Sequence, residues 1–356
     1  MIANPLALIA ELTHRCPLHC VYCSNPLELT RREKELGEDT WARVLGEAAA
    51  LGVLQVDFTG GEPLARPDLT ELIRTARAQG LYASLITSGL PLDEKRLDAL
   101  VSAGLDHLQI SIDNVKPDKI SLKSLKVLDR KLESLAEHAC FRVNINSVVG
   151  TSEHPEDAVA VARRARELGF QTTVGIVHDG QGQLQPLGQA AQRVYREIMQ
   201  ISSRGFSTFA YYNQFQKNLV EGKTNNWRCR AGSRYLYVCE DGLVHYCSQQ
   251  RGAPGIPLEN YSAENLEREY DSVKSCAPFC TVSCVHQVSM IDQFRDQPKQ
   301  ALAQFFPARS GQEDAYDPPA SIGILTWMFL PPEENRVRKK LTQGLTRAAS
   351  WCLRVR

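Results

Sequence analysis

The chain has 356 residues, enough to bury a large core and to carry more than one structural unit. Its 41 basic residues balance 41 acidic ones, so no general attraction to nucleic acid or to an anionic membrane is expected, and such a partner would need a local patch. The start, Met1-Ile-Ala-Asn-Pro5, has no basic opening and the apolar run after it is broken by Glu11, which reads as no secretory signal and a cytoplasmic protein. In a reducing compartment eleven cysteines point to metal or redox chemistry rather than disulfides. The apolar stretch Ile322 to Leu330 falls short of the roughly 20 residues a spanning helix requires.

In chain order, a strand is predicted over Leu6–Leu12, leading into the run Cys16-Pro-Leu-His-Cys20-Val-Tyr-Cys23. Helices and strands then alternate: helix Glu38–Leu51, strand Val53–Phe58, helix Asp68–Gln79, strand Leu81–Ile86, helix Glu94–Ser102 and strand Leu105–Ile112. Helix Leu122–His138, strand Phe141–Val148, helix Glu156–Leu168 and strand Gln171–Val177 follow, each helix closing at a glycine or polar turn. About six such units predict an α/β fold with a partial, six-unit TIM-like barrel, two units short of the full eightfold form. Ligands of parallel α/β folds gather at the carboxyl ends of the strands.

Beyond about Gly205 the alternation ends, which divides the chain into a barrel over 1–205, a cysteine-rich unit over 206–295 and a tail over 296–356. In the second unit Tyr235–Val238 and Leu243–Tyr246 flank Glu-Asp-Gly242, a hairpin signature. Cys229 and Cys247 would lie near its open end, and Cys276, Cys280, Cys284 and His286 follow. The tail reads as a loop and then a basic amphipathic helix over Glu333–Arg356, which packs on the parent fold or makes a weak membrane or partner contact. Cys140 and Cys352 stand alone and read as small buried apolar residues.

Three thiolates within eight residues can hold a metal cluster and leave one metal position open, since an iron–sulfur cube wants four ligands. A closed zinc site would need a fourth ligand, for which His14 and His19 are near enough in sequence. Gly60, Gly61, Glu62 and Pro63 follow the second strand, and paired glycines let backbone approach a ligand where a side chain would collide. An ordinary strand-to-helix turn is the alternative. Thr87 and Ser88 close the third strand, Ser111 and Asp113 the fourth, and Asn144, Asn146 and Ser147 punctuate the fifth. They reach a pocket at the barrel mouth or serve as caps and turn formers. His178 and Asp179, after the sixth strand, meet a ligand or sit in a solvated loop.

The Cys-x3-Cys-x2-Cys spacing with aromatic Tyr22 resembles the cluster loop of the radical S-adenosylmethionine (SAM) enzymes. The phrases Ala10-Glu-Leu-Thr-His-Arg-Cys16, Cys23-Ser-Asn-Pro-Leu27, Gly60-Gly-Glu-Pro-Leu64 and Ile86-Thr-Ser-Gly89 make Leu6 through Asp113 resemble most closely the radical enzymes of pyrroloquinoline quinone biosynthesis. The resemblance implies that Cys16, Cys20 and Cys23 hold a [4Fe-4S] cluster whose open iron binds SAM, with a reductase or flavodoxin-type electron donor. It places Gly60, Gly61, Glu62 and Pro63 at the amino group of SAM, and Tyr22, Thr87, Ser88, Ser111, Asp113 and Asn146 around the rest of the cofactor. It implies a 5′-deoxyadenosyl radical that abstracts a substrate hydrogen in peptide or cofactor maturation, with no further catalytic residue assigned. The alternatives are a dehydrogenase or mutase of a small molecule such as a sugar, alcohol or lipid precursor, and a non-catalytic metal-binding or electron-transfer protein. An electron carrier has no use for the Gly60–Pro63 turn.

The second unit is similar to the auxiliary-cluster domains called SPASM or twitch. It departs from the seven-cysteine SPASM pattern by offering six, three of them in an x3, x3 run. One auxiliary [4Fe-4S] cluster is therefore expected, on Cys229, Cys247 and two of Cys276, Cys280 and Cys284, with Cys239 or His286 as substitutes. Zinc there would fold the unit equally well but would carry no electrons.

Overall fold

The computed structural model describes residues 4–18, 20–23, 35–119, 121–150, 154–178, 183–202 and 214–297. Six parallel strands come first: β1 (Ala7–Glu11), β2 (Gln55–Thr59), β3 (Tyr82–Thr87), β4 (His107–Ser111), β5 (Arg142–Val149) and β6 (Gln171–Ile176). Each is followed by a helix: α1 (Glu38–Ala50), α2 (Leu69–Ala78), α3 (Glu94–Ala103), α4 (Leu125–His138), α5 (Asp157–Glu167) and α6 (Gln189–Ile201). This is the expected six-unit partial barrel.

Local chemistry accounts for the boundaries. In α1, Trp41, Val44, Leu45 and Ala48 are buried at helical spacing while Glu38 and Asp39 occupy the first turn, where the helix dipole favours acids. Asp93 caps α3 by accepting the Arg96 amide at 2.8 Å, and Gly104, at φ 79°, ends that helix in the left-handed conformation.

The two faces of the sheet differ in kind. Leu8, Ala10 and Leu12, then Val56 and Phe58, Ala83 and Leu85, Leu108 and Ile110, and Val143 and Ile145 turn to one face and form one core with the helices. Trp41 is wholly buried there, and its truncation to alanine would cost about 3–5 kcal/mol. The alternate positions carry Asp57, Ser84, His107, Gln109, Asn144, Asn146 and Thr173 to the other face. They bond across strands: Ser84 Oγ lies 3.0 Å from His107 Nδ1, Asn144 Nδ2 donates to Thr173 Oγ1 at 2.9 Å, and Thr173 Oγ1 donates to Asn146 Oδ1 at 3.0 Å.

The predicted hairpin forms as β7 (Tyr235–Val238) and β8 (Leu243–Cys247), turning at Gly242, and a third strand, β9 (Gln250–Pro257), extends it. β7 also pairs in parallel with β1, from Ala7 opposite Tyr235 to Ala10 opposite Val238. The cysteine-rich unit thus continues the barrel sheet in the order β6-β5-β4-β3-β2-β1-β7-β8-β9. Helices α8 (Ala263–Asp271) and α9 (Ser283–Asp296) follow it, while α7 (Gln214–Val220), which precedes it, packs Phe215, Leu219 and Val220 into the core of α5, α6 and β6.

Cys140 corrects an expectation: it is exposed, in the short turn between α4 and β5, rather than buried. Cys352, His19, Asp179 and the tail helix Glu333–Arg356 lie outside the described residues. Among the described residues no helix is long and apolar enough to cross a membrane.

Candidate cluster and cofactor site

The cluster loop leaves β1 at Glu11 and is held by the turn that follows β2. The Gly61 amide donates to the Thr13 carbonyl at 2.6 Å and the Glu62 amide to the Arg15 carbonyl at 2.7 Å. A Cβ on Gly61 would lie 2.5 Å from the Arg15 oxygen and 2.6 Å from that of His14; on Gly60 it would lie 2.4 Å from the Thr13 oxygen. The paired glycines are therefore required by the backbone of the cluster loop itself. On the other flank Arg15 makes a bidentate pair with Glu35, at 2.7 and 2.9 Å.

Cys16 and Cys20 are half-buried and Cys23 is exposed, and no disulfide joins any described cysteine. The Cys23 amide donates to the Cys20 carbonyl at 3.0 Å, closing a tight turn over these two cysteines. Burial pushes the Cys16 thiol up to about 11, and the negative charges of Glu62, Cys23 and Cys20 add to it. A cluster of thiols that raise one another in this way is a donor set for a cation, which reverses the local charge preference. His14 turns elsewhere: its Nδ1 is 2.9 Å from Glu240 and its Nε2 is 3.6 Å from Glu11. It is committed to carboxylates rather than to the cysteine loop.

Glu62 is fully buried and its carboxylate accepts from the Leu64 amide at 3.0 Å, Thr87 Oγ1 at 2.6 Å, the Ser88 amide at 2.9 Å and Ser88 Oγ. Three predicted site residues, Glu62, Thr87 and Ser88, thus form one knot that ties the β2 turn to the end of β3. Pro63 is buried and begins the short helix Pro63–Ala65. Asp113 forms a second knot: it accepts from Tyr22 Oη, from Ser121 Oγ at 2.8 Å and from the Val148 amide at 3.1 Å, and Lys123 Nζ lies 3.2 Å away. Burial and the Asp113 charge push the Tyr22 hydroxyl far above its usual range, so it stays a donor. Ser111 and Asn146 are opposite each other in the β4–β5 register, both half-buried. Ser147 points to the other face, its Oγ donating to the Ile112 carbonyl at 2.6 Å. His178 lies 3.4 Å from Gln249 Nε2.

In the second unit Cys229, Cys247 and Cys280 are buried with Ala7 and Ile9 of β1 and Tyr235 and Tyr237 of β7; Cys276 is half-buried. Burial pushes Cys229 up to about 12, with Cys247 and Cys276 adding to it. Cys280 is pushed up by burial, with Cys229, Cys247 and Cys276 adding to it. Three buried thiols and one half-buried one have the donor chemistry that a four-cysteine cluster needs. Cys284 is pushed up to about 12 by burial, then by Asp57 and Cys247, which sets it on the β2 side of that group.

Cys239 is not among them. Its Sγ lies 3.0 Å from Asp241 Oδ1 and 3.3 Å from His245 Nε2. The Gly252 amide donates to His245 Nδ1 at 2.9 Å, so the neutral ring carries its proton on Nε2 and donates toward Asp241 and Cys239. His286 is stacked on Phe215, with centroids 3.6 Å apart, and tilted against Trp227.

The largest feature that sequence reasoning missed is a buried ionic knot between the two units. Arg251 grips Glu11 with both nitrogens, at 2.6 and 2.8 Å, and Tyr237 Oη donates to Glu11 at 2.6 Å. Burial opposes charging of Glu11, yet hydrogen bonds from His14 and Arg251 outweigh it and hold the carboxyl down to about 2. A carboxylate inside an apolar strand was the available signal.

Comparison with known proteins places these features in a family. The pattern of the Radical SAM superfamily matches residues 10–182. The chain is 35% identical over 286 residues to the PqqA peptide cyclase of Ruegeria pomeroyi, covering 74% of this chain and 73% of that one. It is 57% identical over 277 residues to the PqqA peptide cyclase of Methylorubrum extorquens, covering 72% and 69%. Among solved structures, Streptococcus suis SuiB bound to its precursor peptide SuiA matches with a TM-score of 0.54 at 15% identity, over 87% of this chain and 68% of that one, a likeness of fold.

Proposed function

Since the chain belongs to the radical SAM superfamily and, within it, to the family of PqqA peptide cyclases, we propose that it crosslinks carbon atoms of side chains within a small ribosomal peptide of the PqqA kind. The observation that carries this reading is the identity to those cyclases over about three quarters of both chains.

When bound, a [4Fe-4S] cluster and SAM supply a 5′-deoxyadenosyl radical for hydrogen abstraction, and an auxiliary cluster supplies an electron acceptor. Cys16, Cys20 and Cys23 would hold the first cluster, and a reductase or flavodoxin-type protein would feed it. Gly60 and Gly61 fix the loop by backbone packing, the Glu62 knot holds the ends of β2 and β3 together, and Asp113 holds the ring of Tyr22. Ser111 and Asn146 stand opposite each other on the polar face of β4 and β5. Cys229, Cys247, Cys276 and Cys280 would hold the auxiliary cluster, with Cys284 beside it and Lys274, buried nearby, offsetting the negative charge on Cys229.

The test is anaerobic reconstitution with iron and sulfide, followed by incubation with SAM, dithionite and the PqqA peptide of Methylorubrum extorquens. Formation of 5′-deoxyadenosine with a peptide product lighter by two hydrogens per crosslink supports the reading. Release of 5′-deoxyadenosine with the peptide left intact would move the substrate to another class.

A further inference from the structure

The charge balance of the chain fails between the end of β4 and the middle of α4. Residues 114–131 hold six basic side chains, Lys116, Lys119, Lys123, Lys126, Arg130 and Lys131, against two acidic ones, Asp118 and Asp129. Two of the six have internal roles: Lys123 pairs with Asp113 and Lys131 Nζ donates to the Leu90 carbonyl. Lys116, Lys119, Lys126 and Arg130 are exposed and form no ion pair among the described residues. Lys126 and Arg130 are also four apart on α4, where like charges repel.

Apolar surface accompanies this charge. Leu122 is 48% exposed and Val127 43% exposed, two of the six large apolar side chains so exposed among the described residues. Lys116 and Lys126, with Val115 and Leu125, line a groove of about 490 Å³ that reaches Asp129 and Arg164. Those two are paired with each other at 2.7 Å, so the charge the groove offers is that of the lysines. The stretch begins at the cofactor site: Ser121 and Lys123 both meet Asp113, the residue that holds Tyr22 of the cluster loop.

We propose that this surface docks an acidic, partly apolar segment of the peptide substrate and so leads the peptide to the barrel mouth. The inference rests on the peptide reading above and names the chemistry of the segment. Carboxylates pair with Lys116, Lys119, Lys126 and Arg130 and relieve their repulsion, while Leu122 and Val127 receive the apolar side chains between them. Charge pairs at an exposed rim act chiefly on encounter and are screened by salt, so binding weakens as ionic strength rises.

The test uses the reconstituted full chain, its Lys116→Glu/Lys126→Glu variant and its Leu122→Ser/Val127→Ser variant. Labelled probes are the PqqA peptide, a short peptide alternating Glu and Leu, and that peptide with Gln for Glu. The lysine variant is expected to bind the PqqA and Glu–Leu peptides about tenfold more weakly than the parent. The apolar variant loses less, the Gln peptide binds weakly to all three proteins, and peptide-independent SAM cleavage stays unchanged. Equal affinity of parent and lysine variant overturns the inference. Should the parent ignore the PqqA peptide, the peptide reading itself is at fault, and the Glu–Leu peptide then decides the surface: charge-dependent binding upholds an acidic-peptide site. Binding to neither peptide, with binding to phosphatidylglycerol vesicles or without, overturns it.

Discussion

The cluster loop presents Cys16 and Cys20 half-buried and Cys23 exposed, whereas Cys229, Cys247 and Cys280 are buried against β1 and β7. The first group sits on a turn whose shape is imposed from outside, by the Gly60–Gly61 backbone and the Tyr22–Asp113 contact. The second group is part of a core and helps to make it. On the reading proposed above, a site that must exchange a ligand would stand at a rim, and one that only has to stay closed would stand where loading and folding are coupled.

The sharpest way to break this contrast is to empty the first site. Cys16→Ala/Cys20→Ala/Cys23→Ala is expected to reduce 5′-deoxyadenosine formation to background while about four irons remain and the melting temperature holds. Loss of all iron in that variant would show the two sites to be interdependent. Cys280→Ser attacks the other side: it should remove the auxiliary metal and, because binding free energy there is folding free energy, lower the thermal midpoint in the same sample. An unchanged midpoint would mean that the protein core folds without metal.

The knot between the units gives a pH test. The Glu11 carboxyl is held near 2 against an ordinary 4.5, so the stability it contributes is complete above pH 4.5 and is lost as the pH falls toward 2, by roughly 3 kcal/mol in all. Acid unfolding followed by circular dichroism should therefore be steeper in the parent than in Glu11→Gln, and matching curves would contradict the arrangement. Gly61→Ala places a methyl group against the Arg15 and His14 carbonyls, an overpacking cost of about 1–3 kcal/mol. It should lower SAM cleavage with auxiliary iron retained. Cys140→Ser marks the floor: exposed and outside both sites, it is expected to shift stability by less than about 0.5 kcal/mol.

Most of the barrel was legible because its signals are local. The alternation of helix and strand stretches could be followed along the chain, and glycines or polar turns marked the helix ends, as Gly52 does after α1. The thiols of the cluster loop are neighbours in sequence, so their gathering needed no knowledge of the fold. The partners of Glu62 could not be read in this way, since Thr87 and Ser88 are brought to it only by the pairing of β2 with β3. The same holds for Glu11 and Arg251, which lie 240 positions apart. For the second cysteine set, counting residues left the choice among Cys276, Cys280 and Cys284 open, since what each thiol faces depends on the short helix Ala277–Phe279 and the entry into α9.

The parallel pairing of β7 with β1 also bears on how the chain tolerates being cut. Without residues beyond the barrel, β1 would present a row of amides and carbonyls from Ala7 to Ala10 with nothing to bond, beside the apolar side chains of Ala7 and Ile9 now stripped of cover. A bare, apolar strand edge recruits other chains. A fragment ending after the sixth unit would therefore be driven toward insoluble association, and expression trials that trim the protein to its barrel would be selecting for aggregates.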